Sequence, residues 1–203
     1  MLGFIVNTQN ARMLMSFSIP QGLQPFIAEL KTLNIQQYDD NTNIARVSLL
    51  LAQWVKRQDW LEDKYYNVDP KAGFSSWLVH EEKDHSLAVN LVAWEPGREI
   101  TPHDHKTWGV VGCVVGLEKN YQWKRIDDGS KPGYAVIERL DTAIICPAGS
   151  IISFLPDEIH SVINESENVA ISLHVYGKNL NYTGRYQYDS VNNTMQPFIV
   201  NFE

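Results

Sequence analysis

Two histidines one residue apart, His103 and His105, and a third far downstream, His160, are the side chains best suited by type to hold a metal ion. On a strand, alternate residues project from one face about 6.6 Å apart along the backbone, so both imidazoles of the pair can reach one ion. The pair alone fits two exposed or hydrogen-bonded histidines equally well. His160 stands at the start of a separate strand-like segment. In a closed barrel, distant strands face each other across the interior, and three imidazoles can then form a facial set with open positions opposite. A second group, Ser172, His174 and Tyr176, alternates through Ile171-Ser172-Leu173-His174-Val175-Tyr176, so its three polar side chains share one strand face. These residues alone fit a polar network inside a barrel or an exposed strand face as well as a catalytic array. A serine hydrolase is disfavoured because Ser172 falls on a strand, without a nucleophile elbow.

The elements that must position these residues follow from periodicity. Leu23, Phe26, Ile27, Leu30 and Leu33 recur at helical spacing between Gln21 and Leu33, and Ile44, Val47, Leu51, Trp54 and Val55 repeat the pattern after the Asp39-Asp40-Asn41 start signal. From Phe74 the period becomes two. Strands are expected at Phe74 to His80, Leu87 to Ala93, Val110 to Val115, Tyr121 to Ile126, Tyr134 to Leu140, Ile151 to Phe154 and Val169 to Tyr176. Turn chemistry separates them: Glu95-Pro96-Gly97, Asp127-Asp128-Gly129, Lys131-Pro132-Gly133, Pro147-Ala148-Gly149 and Asn164-Glu165-Ser166. Short strands with no helix between them predict a mainly β, antiparallel jelly-roll sandwich or barrel with the N-terminal α-helices packed outside, and exclude a parallel α/β sheet. The 203 residues are expected to form one domain over 1–203, with a helical extension at 21–62 and the barrel at 74–203.

Composition narrows the partners. With 44% hydrophobic and 20% charged residues the chain can bury a sizeable core, which excludes disorder. Seventeen basic against twenty-four acidic side chains leave a net charge of −7 without a Lys/Arg cluster, which argues against nucleic acid or an anionic membrane as partner. No apolar run approaches the ~20 residues of a membrane span. The first twenty residues lack the basic start and clean apolar core of a secretion signal. Cys113 and Cys146 lie in apolar segments, as buried thiols in a reducing, cytoplasmic compartment would. The Asn164, Asn181 and Asn192 sequons carry no weight without a signal.

Gly97, His103-Asp104-His105, Gly109 and Gly116 resemble the first motif of the cupins, whose spacing of glycine, two histidines, an acidic residue and a final glycine they keep. Where most cupins place a glutamate ligand, this chain has Gly109. Gly149, Pro156, His160 and Asn164 resemble the second motif, with Glu158 where glycine is usual and one residue fewer before the histidine. The resemblance implies a cupin jelly-roll barrel with His103, His105 and His160 as metal ligands. Three neutral imidazoles leave a divalent metal its full charge and favour an anionic ligand; a thiolate qualifies, because coordination lowers a thiol's pKa.

Ser172, His174 and Tyr176 are similar to the Ser-x-His-x-Tyr element of the cysteine dioxygenase family of thiol dioxygenases. His103 to Gly109, as His-Asp-His-x-x-Trp-Gly, is similar to the bacterial branch that includes 3-mercaptopropionate dioxygenases. The resemblance implies a mononuclear non-haem iron(II) enzyme that oxidises a small thiol, cysteine or 3-mercaptopropionate, with O2 to its sulfinic acid. In it Ser172 and His174 orient Tyr176 toward bound substrate and dioxygen, and Arg185 grips the substrate carboxylate. The 74–80 segment holds neither the arginine of animal enzymes nor the glutamine of some bacterial relatives, and Gly109 stands where animal enzymes carry a cysteine cross-linked to tyrosine. Cys113, about 13 Å further along a regular strand, is expected to be core packing. Trp94, Trp108 and Ile151 are expected to wall the pocket, and His80 to be a surface residue or to face it. The competing class is a non-catalytic metal-binding cupin, a ligand-binding or sensor module holding zinc or nickel at the same histidines.

Overall fold

The structure is a computed structural model and describes residues 19–203. Residues 1–18, most of the stretch that lacks the pattern of a secretion signal, lie outside the described residues. Helix α1 (Gln24–Thr32) follows a 3-10 turn, and α2 (Asp40–Trp54) starts where the sequence signal puts it, with Asp39 Oδ1 accepting the Thr42 N–H at 2.8 Å. Then come β1 (Phe74–Glu81), β2 (Ala88–Trp94), β3 (Glu99–His103), β4 (Gly109–Val115), β5 (Leu117–Arg125), β6 (Ile137–Pro147), β7 (Ile151–Phe154), β8 (Ile159–Asn164), β9 (Ala170–Tyr176), β10 (Tyr186–Asp189) and β11 (Thr194–Pro197).

These strands form two antiparallel sheets, ordered β1-β2-β9-β4-β7 and β11-β10-β3-β8-β5-β6. From β3 to β10 the chain repeatedly crosses from one sheet to the other, which is the winding of a double-stranded β-helix. The mainly β, cupin-type jelly roll expected from the sequence is therefore the architecture. Strand β7 has the expected bounds. β5 begins four residues before the expected Tyr121, and β6 extends to Pro147, because polar Glu118, Lys119 and Asn120 and charged Glu138 and Arg139 pair along one long hairpin that apolar alternation does not reveal. Apolar alternation does not mark β3, β10 and β11, which carry too few alternating apolar residues; the strand at the histidine pair was expected from the spacing of its histidines alone, and it ends at His103.

The helices decide which face of β9 looks inward. Val47, Leu51, Trp54 and Val55 of the α2 region join Phe26 and Leu30 of α1 in one core with Val89, Leu91, Val110, Ile171, Leu173 and Val175. Each such burial is worth about 1.5–3 kcal/mol. The contact is close: a Cβ on Gly112 would lie 2.2 Å from Val55 Cγ1, so glycine lets α2 reach β4. With Ile171, Leu173 and Val175 facing the helices, the pleat turns Ser172, His174 and Tyr176 into the barrel, and β9 is buried throughout.

Candidate metal centre and its cavity

His103 ends β3 and pairs in register with His160 of β8, with ring centroids 4.5 Å apart. The third imidazole therefore comes from the neighbouring strand of the same sheet, not from across the interior as the sequence suggested. A second correction concerns His105. It lies beyond the end of β3, so strand alternation does not aim it. The turn is held by buried Asp104, whose Oδ1 accepts the Tyr186 N–H at 2.9 Å and whose Oδ2 accepts the Tyr188 hydroxyl at 2.6 Å. Lys106, with a φ of 54°, bridges Asp104 at 3.1 Å and Asp157 at 2.7 Å.

One nitrogen from each of His103, His105 and His160 lies within 4.8 Å of the others. His103 Nδ1 donates to the Thr101 carbonyl at 2.9 Å, and His160 Nδ1 to Asn120 Oδ1 at 3.0 Å, which leaves each Nε2 as a free lone pair. The Nε2 atoms of His160 and His105 face each other at 3.3 Å. Burial, with like-charge repulsion from Arg185, pushes the His103 imidazole down to about 3 and holds His105 and His160 well below their usual value. These are neutral, converging donors. Such a set fits a borderline divalent metal of the zinc and iron kind.

Ser172 Oγ lies 2.6 Å from His174 Nε2, and His174 Nδ1 lies 2.7 Å from the Tyr176 hydroxyl, so the three side chains form a continuous chain of hydrogen bonds. Trp94 Nε1 donates to Ser172 Oγ at 2.9 Å. The Tyr176 ring stands 5.1 Å from the His105 ring. Gly109 pairs with Tyr176 across β4 and β9, and a Cβ there would come within 2.8 Å of Tyr176 Cε1. The place of the missing glutamate is thus occupied by the tyrosine edge. Cys113 pairs with Ser172 rather than Tyr176, and burial pushes its thiol up.

Both groups open on one cavity of about 50 Å³, lined also by Ser76, Asn90, Glu118, Phe154, Arg185 and Phe198. A cavity needs at least ~10–15 Å³ to hold one water, so this one has room for a small molecule. Arg185 immediately precedes β10 rather than lying on a strand. It is 4% exposed, donates from Nε to the Phe198 carbonyl at 3.1 Å, and lies 4.1 Å over the Phe198 ring. Burial pushes its guanidinium down to about 10.

Of the expected wall residues only Trp94 lines the cavity. Trp108 belongs to the core beneath the helices and Ile151 packs against that core, because both point to the outer face. His80 turns away to Glu82 at 3.1 Å, and His85 stacks on Tyr182 at 3.6 Å. Sequence reasoning missed Glu118, Asn120 and Phe198. Glu118 and Asn120 sit at alternate positions of β5, a parity that signals an inward polar face only once β5 is recognised. Phe198 follows the last strand and carries no signal of its own.

No family model matches the chain. Among solved structures it is similar to an uncharacterized conserved protein with a double-stranded β-helix domain from Klebsiella pneumoniae: 17% identity over 64% of this chain and 92% of that one, TM-score 0.45. It is similar to oxalate oxidase in complex with the substrate analogue glycolate, at 14% identity over 64% of this chain and 63% of that one, TM-score 0.44. It is also similar to a cupin superfamily protein from Desulfitobacterium hafniense, at 9% identity over 51% of this chain and 75% of that one, TM-score 0.36. The fold assignment rests on the strand order described above.

Proposed function

We propose that this protein is a thiol dioxygenase: it holds iron(II) on His103, His105 and His160 and converts a small thiol and O2 to a sulfinic acid. The observation that carries the reading is the meeting, in one small cavity, of three neutral imidazoles, the Ser172–His174–Tyr176 chain and a buried arginine. The reaction balances without a further reductant: the thiol sulfur gives up four electrons, both oxygen atoms bond to it, and R–SH becomes R–SO2H. An iron(II) ion bound there supplies the redox chemistry and open positions that bring thiolate and dioxygen together.

The chain's own residues do the rest. Arg185, with no acidic residue in ion-pair contact among the described residues, holds the substrate carboxylate by its free N–H groups. Tyr176 offers a hydroxyl at the imidazole cluster, oriented by His174 and Ser172. Phe154, Phe198 and Trp94 keep bulk water from the thiol. Free, buried Cys113 and Cys146 support a cytoplasmic setting. Among the described residues no helix is long and apolar enough to cross a membrane. The test is to load the protein anaerobically with iron(II), admit oxygen, and measure sulfinate from cysteine, 3-mercaptopropionate and 2-aminoethanethiol. Sulfinate from a carboxylate-bearing thiol is expected. No product from any, with iron verified at the three histidines, would leave a metal-binding module instead.

A further inference from the structure

The groups that a ligand must reach are shut in. His103, His105, His160, Tyr176 and Arg185 are each at most 6% exposed, so a ligand enters their cavity only when part of its wall moves. Most of that wall is strand, held in the ladders of the two sheets, and His105 is fixed by the turn at Asp104. Leu180 stands on a 3-10 turn (Leu180–Tyr182) that buried Asn179 ties down, its side-chain amide donating to Glu81 at 2.6 Å and its N–H to the His85 carbonyl at 3.0 Å. What remains is the segment after β11. Residues 198–203 belong to neither sheet; Phe198, Val200 and Phe202 line the cavity, while Ile199, Asn201 and Glu203 between them are exposed.

This segment is held at three points. At Phe198 it is clasped to buried Arg185: the Phe198 N–H donates to the Arg185 carbonyl at 3.0 Å, and Arg185 Nε donates to the Phe198 carbonyl at 3.1 Å. At Val200 one side chain takes the place of a partner strand. Asn181 Nδ2 donates to the Val200 carbonyl at 2.8 Å, and Asn181 Oδ1 accepts the Val200 N–H at 3.0 Å. At Glu203 the N–H donates to the Ser76 carbonyl at 2.9 Å, and Ser75 Oγ lies 3.5 Å from the carboxylate.

We propose that residues 199–203 form a strap that opens to admit the ligand, hinged at the Phe198–Arg185 clasp, and that Asn181 is the latch that holds it shut. The clasp is the buried end, where the Arg185 guanidinium also lies over the Phe198 ring. Asn181 is half-buried and the residues on either side of Val200 are exposed, so water reaches the latch, and bonds within reach of water are the ones that open locally. Opening there withdraws Val200 and Phe202 from the cavity and leaves Phe198 over Arg185, so the guanidinium is already in place when a carboxylate arrives. Asn181 touches no ligand and acts as a positioning residue. Because it bonds the closed strap whether or not a ligand lies beneath, weakening it speeds entry and exit alike and leaves affinity unchanged.

The strap rests on the proposed dioxygenase reading only for the nature of its ligand, and its first test needs neither ligand nor turnover. Asn181→Leu removes both latch bonds, and two hydrogen bonds of ordinary net strength correspond to about 30-fold in the opening equilibrium. The amide to follow by hydrogen exchange on metal-free protein is that of Glu203, whose own acceptor on Ser76 is untouched. Its exchange should speed up about 30-fold while the Phe198 amide is unchanged. With cobalt(II)-loaded protein, stopped-flow absorption of the cobalt–thiolate bond should show 3-mercaptopropionate entering and leaving about 30-fold faster, with Kd within about threefold of the wild type. Asn181→Asp keeps the acceptor and loses the donor; it should move both readings in the same direction, and it serves if the leucine variant fails to fold. Glu203 exchange or an association rate equal to the wild type's in both variants would overturn the strap, as would a changed affinity with unchanged rates of entry. Faster Glu203 exchange in a protein that binds no thiol would uphold the strap and reject the dioxygenase.

Discussion

Replacing Arg185 with methionine should stabilise the free protein while weakening its grip on a carboxylate-bearing thiol. The arginine ion pairs among the described residues are made by Arg57, Arg98, Arg125 and Arg139, whereas Arg185 lies 4% exposed without one. Its guanidinium is displaced from 12.5 to about 10 by burial, which corresponds to about 3 kcal/mol against the charged form. Methionine removes that cost and forfeits the Phe198 ring contact and the Nε hydrogen bond, worth about 1 kcal/mol together or slightly more. The net expectation is a gain of about 1–2 kcal/mol, or roughly 2–8 °C in Tm for a chain of this size. A carboxylate docked on the guanidinium relieves the same cost, so the variant should bind 3-mercaptopropionate about 30–150-fold more weakly. 2-Aminoethanethiol, which has no carboxylate, should bind as before. Thermal unfolding and titration with both thiols measure the two halves. A variant less stable than wild type with an unchanged thiol preference would refute the reasoning.

Asn120→Leu, which removes the acceptor that orients His160, should weaken metal binding about 10–100-fold, read by chelator competition; unchanged affinity would mean that Asn120 does not hold the ring. Gly109→Ala should press on Tyr176 and cost about 1–3 kcal/mol in urea unfolding, with loss of the Tyr176–His174 bond. The paired hydrogen bonds from Arg125 hold the Asp127 carboxyl well below its ordinary 3.8. The unfolded chain therefore binds the proton first: this contribution is present above pH 3.8 and is lost as pH falls toward the folded value. Asp127→Asn should flatten that acid limb of the stability curve, and an unaltered limb would contradict it.

Residue type and parity made the candidate site residues legible, whereas their placement depended on the fold. Ser172, His174 and Tyr176 share a face in any strand, so their common direction was readable; that the face is the inner one depends on α2 covering Leu173 and Val175. His103 and His105 were grouped correctly for an incomplete reason, since a turn held by Asp104, Tyr186 and Tyr188 replaces strand geometry after His103. Those tyrosines lie more than eighty residues away on β10, and no local pattern announces the contact. Glu118 was illegible for the opposite reason: a glutamate beside a lysine reads as solvated surface, and only the β5–β8 and β5–β6 pairings turn it inward. Trp108 and Ile151 were misplaced because Trp108 lies in the loop before β4, where no strand parity applies, and Ile151 opens β7 beside the equally apolar Ile152, so residue type does not tell which of the two faces inward.

The central claim is that the three imidazoles and the Ser172–His174–Tyr176 chain together serve the transfer of both atoms of dioxygen to a thiol sulfur. Its most direct test is a single turnover of iron-loaded protein with 3-mercaptopropionate under oxygen-18 gas in ordinary water, with the sulfinate weighed by mass spectrometry. The account predicts a product carrying two labelled oxygen atoms; a sulfinate with one label or none, or a disulfide as the sole product, would contradict it.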